Sequence, residues 1–282
     1  MPLPDDFDLD DFVRRVLAED LGAGGDVTSA ATIPADARFS AGMNCREPIV
    51  VAGLDIASAF FRALDADVGI EQLVADGDKI EARSILMRLT GNARAMLTAE
   101  RSALNTLQHL SGIATLTRRY VDEIKGTGAV LLDTRKTIPG LRVLEKYAAR
   151  MGGAQNHRMR LDDGVLIKDN HVGVCGGVAE AVRAAKAADT GLQVQVEVDN
   201  VEQIEPALAA GADRLLLDNM PPPVLREAVA RVAGRVPLEA SGGVRLDTIR
   251  AIAETGVDFI SLGRITQSAP AVDIGLDYAM NR

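Results

Sequence analysis

The 282-residue chain has no tryptophan, three tyrosines and six phenylalanines, so its core must be built from Leu, Val, Ile and Ala. Cysteine is just as scarce. Cys45 and Cys175 stand far apart, without zinc-ligand spacing or the density of a disulfide scaffold, and read as two reduced thiols. No apolar run reaches the roughly 18 residues that a membrane helix needs. The N-terminal MPLPDDFDLDDF is acidic and lacks the basic and apolar regions of a secretory signal, so the expectation is a cytoplasmic protein with no membrane partner. Positive charge is in deficit: 31 Lys and Arg face 40 Asp and Glu, a net charge of -9. That balance excludes a general nucleic-acid surface. It does not exclude a small anionic ligand, because a local cationic pocket can sit in an acidic protein.

In chain order, residues 8–20 predict a helix, with Leu9, Phe12, Val13, Val16 and Leu17 on one face. The stretch Gly22 to Ser29 is rich in glycine but has no GK[ST] after it, so it reads as a turn rather than a phosphate loop. Short strands are expected at 39–44, 49–52, 72–75 and 85–90, around a helix at 57–64, making a small α+β unit. Asn92 begins a helical stretch to about Lys125, with a break expected at Ser111-Gly112. Arg101, Asn105 and Gln108 share one polar stripe of that stretch, which serves either a solvated face or a ligand.

Beyond Val130 the pattern becomes β-α-β-α. Strands are expected at 130–133, 165–168, 194–198, 214–218, 236–240 and 259–262. Helices are expected at 141–151, 178–189, 201–210, 222–233 and 246–255. Most of the strands are continuous apolar runs, as in a parallel sheet covered on both faces, and the recurrence of polar residues at their C-terminal ends favours a barrel. The tail from Ala269 to Arg282 lacks a further complete unit and is expected to pack on the N-terminal one.

Barrels of this kind place their chemistry at the C-terminal strand ends. Here Asp133-Thr134-Arg135-Lys136 and Lys168-Asp169-Asn170 are cationic, and Asn156-His157-Arg158 lies between them. Arg135, Lys136, His157, Arg158 and Lys168 gathered in one place would repel each other unless a multiply anionic ligand offset them. The alternative is a solvated basic rim. Glu197 and Asp218 end neighbouring strands; near phosphate they suggest Mg²⁺, and otherwise they pair with Lys168 or hydrogen-bond loops. Ser241-Gly242-Gly243 and Ser261-Leu262-Gly263 suit either a phosphate cradle or tight βα turns. Lys168 at a strand end is also compatible with Schiff-base chemistry, and the whole set with a non-catalytic phosphate- or dicarboxylate-binding barrel.

The chain resembles the quinolinate phosphoribosyltransferase family, nicotinate-nucleotide pyrophosphorylase (carboxylating). The motifs that carry the resemblance are Glu19-Asp20 with Gly25-Asp26-Val27-Thr28, then Glu100-Arg101 with Leu104-Asn105 and Ser111 to Thr115. They continue through Asp133 to Thr137 with Pro139-Gly140, Asn156-His157-Arg158, Leu166 to His171, and Glu239 to Gly243. They run through nearly the whole chain in order. The resemblance implies an α/β protein of the type II phosphoribosyltransferase fold. An N-terminal α/β sandwich (1–112, with the tail 269–282 on it) would precede an incomplete parallel β/α barrel (113–268). It implies transfer of phosphoribose from phosphoribosyl pyrophosphate to quinolinate with Mg²⁺, giving nicotinate mononucleotide, CO₂ and pyrophosphate for NAD biosynthesis. By motif, Arg135, His157, Arg158 and Lys168 would surround the quinolinate carboxylates. Lys136 and Lys168 would meet phosphoribosyl pyrophosphate oxygens, with Thr134 beside them. Glu197 and Asp218 would hold ribose hydroxyls and Mg²⁺, and the loops Ser241–Gly243 and Ser261–Gly263 the 5-phosphate. Lys136, Lys168, Glu197 and Asp218 are thus the expected catalytic set. The family's homodimer would bring Arg101 into the neighbouring subunit's site. A relative associated with molybdenum transport shares the fold; the intact cationic set favours the quinolinate enzyme.

Overall fold

The computed structural model describes residues 7–278. The expectations for the first six residues and for the last four residues of the tail lie outside that range. Two compact units are present. One holds the chain up to Leu116, Val143–Gly152 and the segment from Ala269 onward; the other holds Thr117–Arg142 and Gly153–Ser268.

The first unit opens with α1 (Leu9–Leu21), capped by the Asp8 carboxylate, which accepts from the Asp11 amide at 2.8 Å. The glycine-rich turn leads into a short α2 (Val27–Thr32) that the sequence pattern does not announce. Asp26 caps it and also accepts from the Thr98 hydroxyl at 2.9 Å, so this motif is structural. Then follow β1 (Arg38–Cys45), β2 (Ile49–Val50), α3 (Leu54–Leu64), β3 (Gly69–Gln72), β4 (Lys79–Ile80) and β5 (Ile85–Asn92). The third strand ends where it was expected to begin. Residues 75–78 form a turn instead: the Ala75 amide donates to Asp78, and Asp76 takes the Gly53 and Leu54 amides. That remote cap starts α3 three residues before the expected Ala57.

The helix α4 (Ala93–Glu123) runs unbroken for 31 residues. The expected break at Ser111-Gly112 is absent, because those residues are small for tertiary reasons. Ser111 Oγ accepts from the Ala52 amide at 3.1 Å, and a Cβ on Gly112 would stand 2.1 Å from the Pro270 carbonyl oxygen. Phe60, Phe61, Met43, Leu89, Met96, Leu107 and Leu110 fill this unit's core, and Phe12 meets Phe60 edge-on.

The second unit is a six-stranded, all-parallel sheet. Its elements in chain order are β6 (Val130–Leu132), α5 (Arg142–Met151), β7 (Val165–Ile167), α6 (Asp169–Cys175), α7 (Val178–Ala187), β8 (Val194–Val198), α8 (Ile204–Ala209), β9 (Arg214–Asp218), α9 (Pro222–Val232), β10 (Leu238–Ser241), α10 (Ile249–Ala253), β11 (Phe259–Ser261) and α11 (Arg264–Gln267). Of these, α5 belongs to the first unit from Val143 on, where Tyr147 donates to Asp76. The strand order β6-β11-β10-β9-β8-β7 follows the chain cyclically, the signature of a sheet curling into a barrel. It stays incomplete: among the described residues, only a single parallel bridge, Leu132 to Gln155, continues the sheet beyond β6.

Register decides which side chains share a face. Glu197 pairs with Leu216, Leu216 with Glu239, and Glu239 with Phe259, so these point to one side. Their alternates Val196, Val198, Leu215, Leu217, Ala240 and Ile260 are all buried. Both faces of this sheet are therefore covered, so its central strands are buried almost throughout, the polar Gln195, Glu197 and Glu239 included. The last strand, β12 (Ile274–Tyr278), returns to the first unit and pairs antiparallel with β1. Gln108, from the polar stripe of α4, donates to the Ile274 carbonyl at 2.7 Å and so ties this strand down.

Gly112→Ala would gain about 1 kcal/mol of helix propensity. The collision with backbone should cost more, and a net loss of roughly 1–3 kcal/mol is expected. Urea unfolding measures it; a variant as stable as the parent would contradict the tight-approach account.

Candidate active site at the open end of the barrel

The loops after the six barrel strands surround one cavity of about 860 Å³, of the size that takes small ligands. The C-terminal end of each strand supplies part of its wall.

After β6 the chain turns sharply. The Lys136 amide donates to Thr134 Oγ1 at 3.0 Å, and the Thr137 amide to the Arg135 carbonyl at 3.0 Å. Thr134, Arg135 and Lys136 all line the cavity. The Lys136 carbonyl is fixed by Thr266 Oγ1 at 2.6 Å. Its side-chain stem lies where a Cβ on Gly263 would be, 2.6 Å from Cδ, so Gly263 is what leaves room for the lysine.

Asp133, fully buried, is the anchor that composition and pattern did not reveal. Its carboxylate accepts from the Asn156 side chain and, at 2.8 Å, from the His157 amide. Together with the bridge at Gln155 this fixes residues 155–158 beside β6. His157 Nδ1 in turn accepts from the Arg158 amide at 2.8 Å. Arg158 donates to the Gly164 carbonyl at 2.7 Å. Burial lowers its proton affinity, and the neighbouring Arg135 lowers it further. The two guanidinium groups therefore feel each other's charge.

Lys168 follows β7. Its Nζ pairs with Glu197 at 2.9 Å, and its amide donates to His171 Nδ1 at 3.0 Å at the start of α6. Glu197 is thus engaged by Lys168, the alternative that the sequence left open. Yet Glu197, Asp199 and Asp218 also bring carboxylate oxygens within 4.8 Å of one another. Asp218 is held above the usual carboxylate range, first by burial and then by Glu197, against the lowering effect of Asn219 and Lys168. Three hard oxygen donors with mutual repulsion suit a divalent cation of the Mg²⁺ kind. Asp199 is the member that sequence reasoning did not single out. Its position one residue beyond the strand was the available signal.

The remaining wall is made by Ser241 to Arg245 and Ser261 to Arg264, with Gln267. Gly242 and Gly243 have φ of +87° and +63°, and a Cβ on Gly242 would strike Asn219 Oδ1 at 2.2 Å. No other residue fits there. The helix after β10 begins at Ile249 rather than the expected Leu246, so any phosphate here would meet the glycine turn itself.

Thr134, Arg135, Lys136, His157, Arg158, Lys168, Glu197, Asp218, Ser241, Gly242, Gly243, Ser261, Leu262 and Gly263 all line this one cavity. Arg101 does not. It lies exposed on α4, in the other unit.

Comparison with known proteins gives this geometry a lineage. Residues 113–277 match the model of the quinolinate phosphoribosyl transferase C-terminal domain, and residues 26–111 that of the N-terminal domain. The chain is 45% identical to nicotinate-nucleotide pyrophosphorylase (carboxylating) of Mycobacterium leprae, over 95% of this chain and 96% of that protein. It is 39% identical to a probable nicotinate-nucleotide pyrophosphorylase (carboxylating) of Bacillus subtilis, over 97% and 94%. The solved structure of the nicotinate-nucleotide pyrophosphorylase from Francisella tularensis superposes with a TM-score of 0.93 at 42% identity, covering 99% of this chain and 100% of that one.

Asp133→Ala would leave the part-buried donors of Asn156 and His157 without the Asp133 carboxylate. A loss of about 2 kcal/mol or more is expected in urea unfolding, with faster amide exchange across residues 155–158. Unchanged exchange there would remove Asp133 from its anchoring role.

Proposed function

The chain belongs to the quinolinate phosphoribosyl transferase family, and we propose that the cavity at its barrel mouth carries out the reaction for which its relatives are named. It joins phosphoribose from phosphoribosyl pyrophosphate to the ring nitrogen of quinolinate. Pyrophosphate and CO₂ leave, and nicotinate mononucleotide enters NAD biosynthesis. The observation that carries this reading is the gathering of Arg135, Lys136, His157, Arg158 and Lys168 on one cavity that also holds the carboxylates Glu197 and Asp218.

Arg135 and Arg158, with His157, take the two carboxylates of quinolinate, whose double negative charge relieves their repulsion. Thr134 lies beside them. Lys136 and Lys168 meet the phosphate and pyrophosphate oxygens, and the Ser241–Gly243 and Ser261–Gly263 turns offer backbone N–H groups to the 5-phosphate. Glu197 and Asp218 receive the ribose hydroxyls. As pyrophosphate departs, positive charge grows on ribose C1, and these carboxylates stabilise it electrostatically. The pyridine nitrogen is the nucleophile, so the protein needs no covalent intermediate; its work is to orient and desolvate. The quaternised ring then releases its 2-carboxylate as CO₂, because the nitrogen stabilises the electron pair left on the adjacent carbon, and that carbon takes up a proton derived from water to give nicotinate mononucleotide. Glu197, Asp218 and Asp199 together fit Mg²⁺, which would supply charge neutralisation for the pyrophosphate. The Schiff-base alternative draws no support from Lys168, whose Nζ faces Glu197 rather than an apolar pocket.

Arg101 completes the site from a partner subunit in this reading, in a homodimer with no nucleic acid and no membrane. Among the described residues no helix is long and apolar enough to cross a membrane.

Purified protein with quinolinate, phosphoribosyl pyrophosphate and Mg²⁺ is expected to form nicotinate mononucleotide and pyrophosphate in equal amounts, and none with nicotinate in place of quinolinate. Absence of product while both ligands bind would overturn the assignment. Arg101→Ala and Lys136→Ala should each lose at least about 100-fold in kcat/KM, the order of one lost charge-assisted contact in the transition state. Mixed and re-equilibrated, they should recover up to about a quarter of parental activity, since a statistical mixture holds hybrid dimers with one intact site. No recovery would place Arg101 in its own subunit's site.

A further inference from the structure

At the floor of the cavity, which Glu239 lines, the barrel interior is polar where an apolar core would serve. Glu239 is fully buried on β10. Its Oε2 accepts from Gln195 Nε2 at 2.8 Å and lies 2.8 Å from the Arg214 guanidinium. That guanidinium stacks over the Phe259 ring, 3.9 Å from its centroid. Strands β8, β9, β10 and β11 thus each contribute one member. The same Glu239 oxygen meets His157 Nε2 at 3.4 Å, an electrostatic contact longer than a well-formed hydrogen bond.

The ring of His157 is constrained from both ends. Nδ1 accepts the Arg158 amide, so it carries no proton and the ring proton sits on Nε2. Nε2 is buried, without a hydrogen-bond partner among the described residues, and Glu239 is the carboxylate within ion-pair reach. Burial pushes the Glu239 carboxyl up, but His157, Arg214 and Ser261 outweigh it and hold it below the usual range. Glu239 is therefore an anion.

A buried Arg–Glu pair pays a desolvation penalty that apolar residues of similar volume avoid. Stability alone gives no reason for it here. Its consequence at the cavity is a fixed negative charge facing one histidine. We propose that Glu239, braced by Arg214 and Gln195, is a positioning residue: it holds His157 in one orientation and one tautomer, and through the Nδ1 contact fixes the backbone of Arg158. The proposal rests on the quinolinate reading above. Arg158 and His157 belong to the part of the cavity that takes the dicarboxylate, so a small misplacement there weakens the grip on that substrate most, while the contact of Glu239 with Ser261 passes a smaller effect to one phosphate loop.

Two variants test it. Glu239→Gln removes the charge at nearly constant shape. Arg214→Met with Glu239→Gln removes both charges, so that no guanidinium is left buried and unpaired. Thermal melts establish which variants fold. The chain has three histidines, so ring ¹⁵N spectra are simple, and His157→Gln assigns the resonances of interest. Wild-type His157 is expected to show an unprotonated Nδ1 and a protonated Nε2. In the folded variants the ring should become a mixture of tautomers. The KM for quinolinate should rise about tenfold, with the KM for phosphoribosyl pyrophosphate changed less than about twofold. A protonated Nδ1 in the wild type would overturn the proposal whether or not the variants fold. So would an unchanged His157 spectrum in a folded variant, or two KM values that rise together. If the wild type makes no product at all, the functional reading fails, while the ring spectra still decide the role of Glu239.

Discussion

Two guanidinium groups, Arg135 and Arg158, lie close enough that Arg158, its proton affinity already lowered by burial, is lowered further by the charge of Arg135. Solvent screens them weakly there, and their repulsion is the constraint around which the barrel mouth is built. It must be resisted by rigid backbone. Asp133, buried below, clamps Asn156 and His157. The Gly164 carbonyl takes one arm of Arg158, and Thr266 fixes the turn at Lys136. Each of these contacts helps hold a cation where it would not rest by itself.

The same cavity carries an anionic side, lined by Glu197 and Asp218 with Asp199 close beside them, and Asp218 is held partly against ionisation. Lys168 lines the same cavity as the other cations and pairs with Glu197. A site with a cationic side and an anionic side suits one kind of chemistry well. A multiply anionic ring must be held, and a sugar carbon must pass through positive charge nearby. The opposed charges are preorganised by strand ends of one sheet, so little reorganisation is needed at the moment of reaction.

Much of this was legible in the residues. The alternation of apolar runs with helical segments announced a parallel sheet, and the charged strand ends announced the cavity, because both depend on local pattern. What was not legible depends on distant contacts. Asp76 caps α3 from 22 residues away, and Gly112 is small because Pro270 passes close, so the helix start and the unbroken α4 could not be read locally. The short α6 carries Val174 almost fully exposed and shows no apolar periodicity. The strand β12 is recognisable only through its partner β1. Asp133 and Glu239 were visible as motif letters, but their work is done through buried contacts to residues 23 and 82 positions away, respectively Asn156 and His157.

The central claim is that the cationic strand ends are built for two carboxylates rather than one. Calorimetric titration of the protein with quinolinate and with nicotinate, at low and at high salt, tests it most directly. Quinolinate should bind at least about 100-fold more tightly, since it satisfies a second guanidinium with a charge-assisted contact worth about 2.7 kcal/mol. Its affinity should also fall more steeply with salt. Equal affinities would mean that Arg135 and Arg158 do not act as a pair on the ligand, and the account of this site would be wrong.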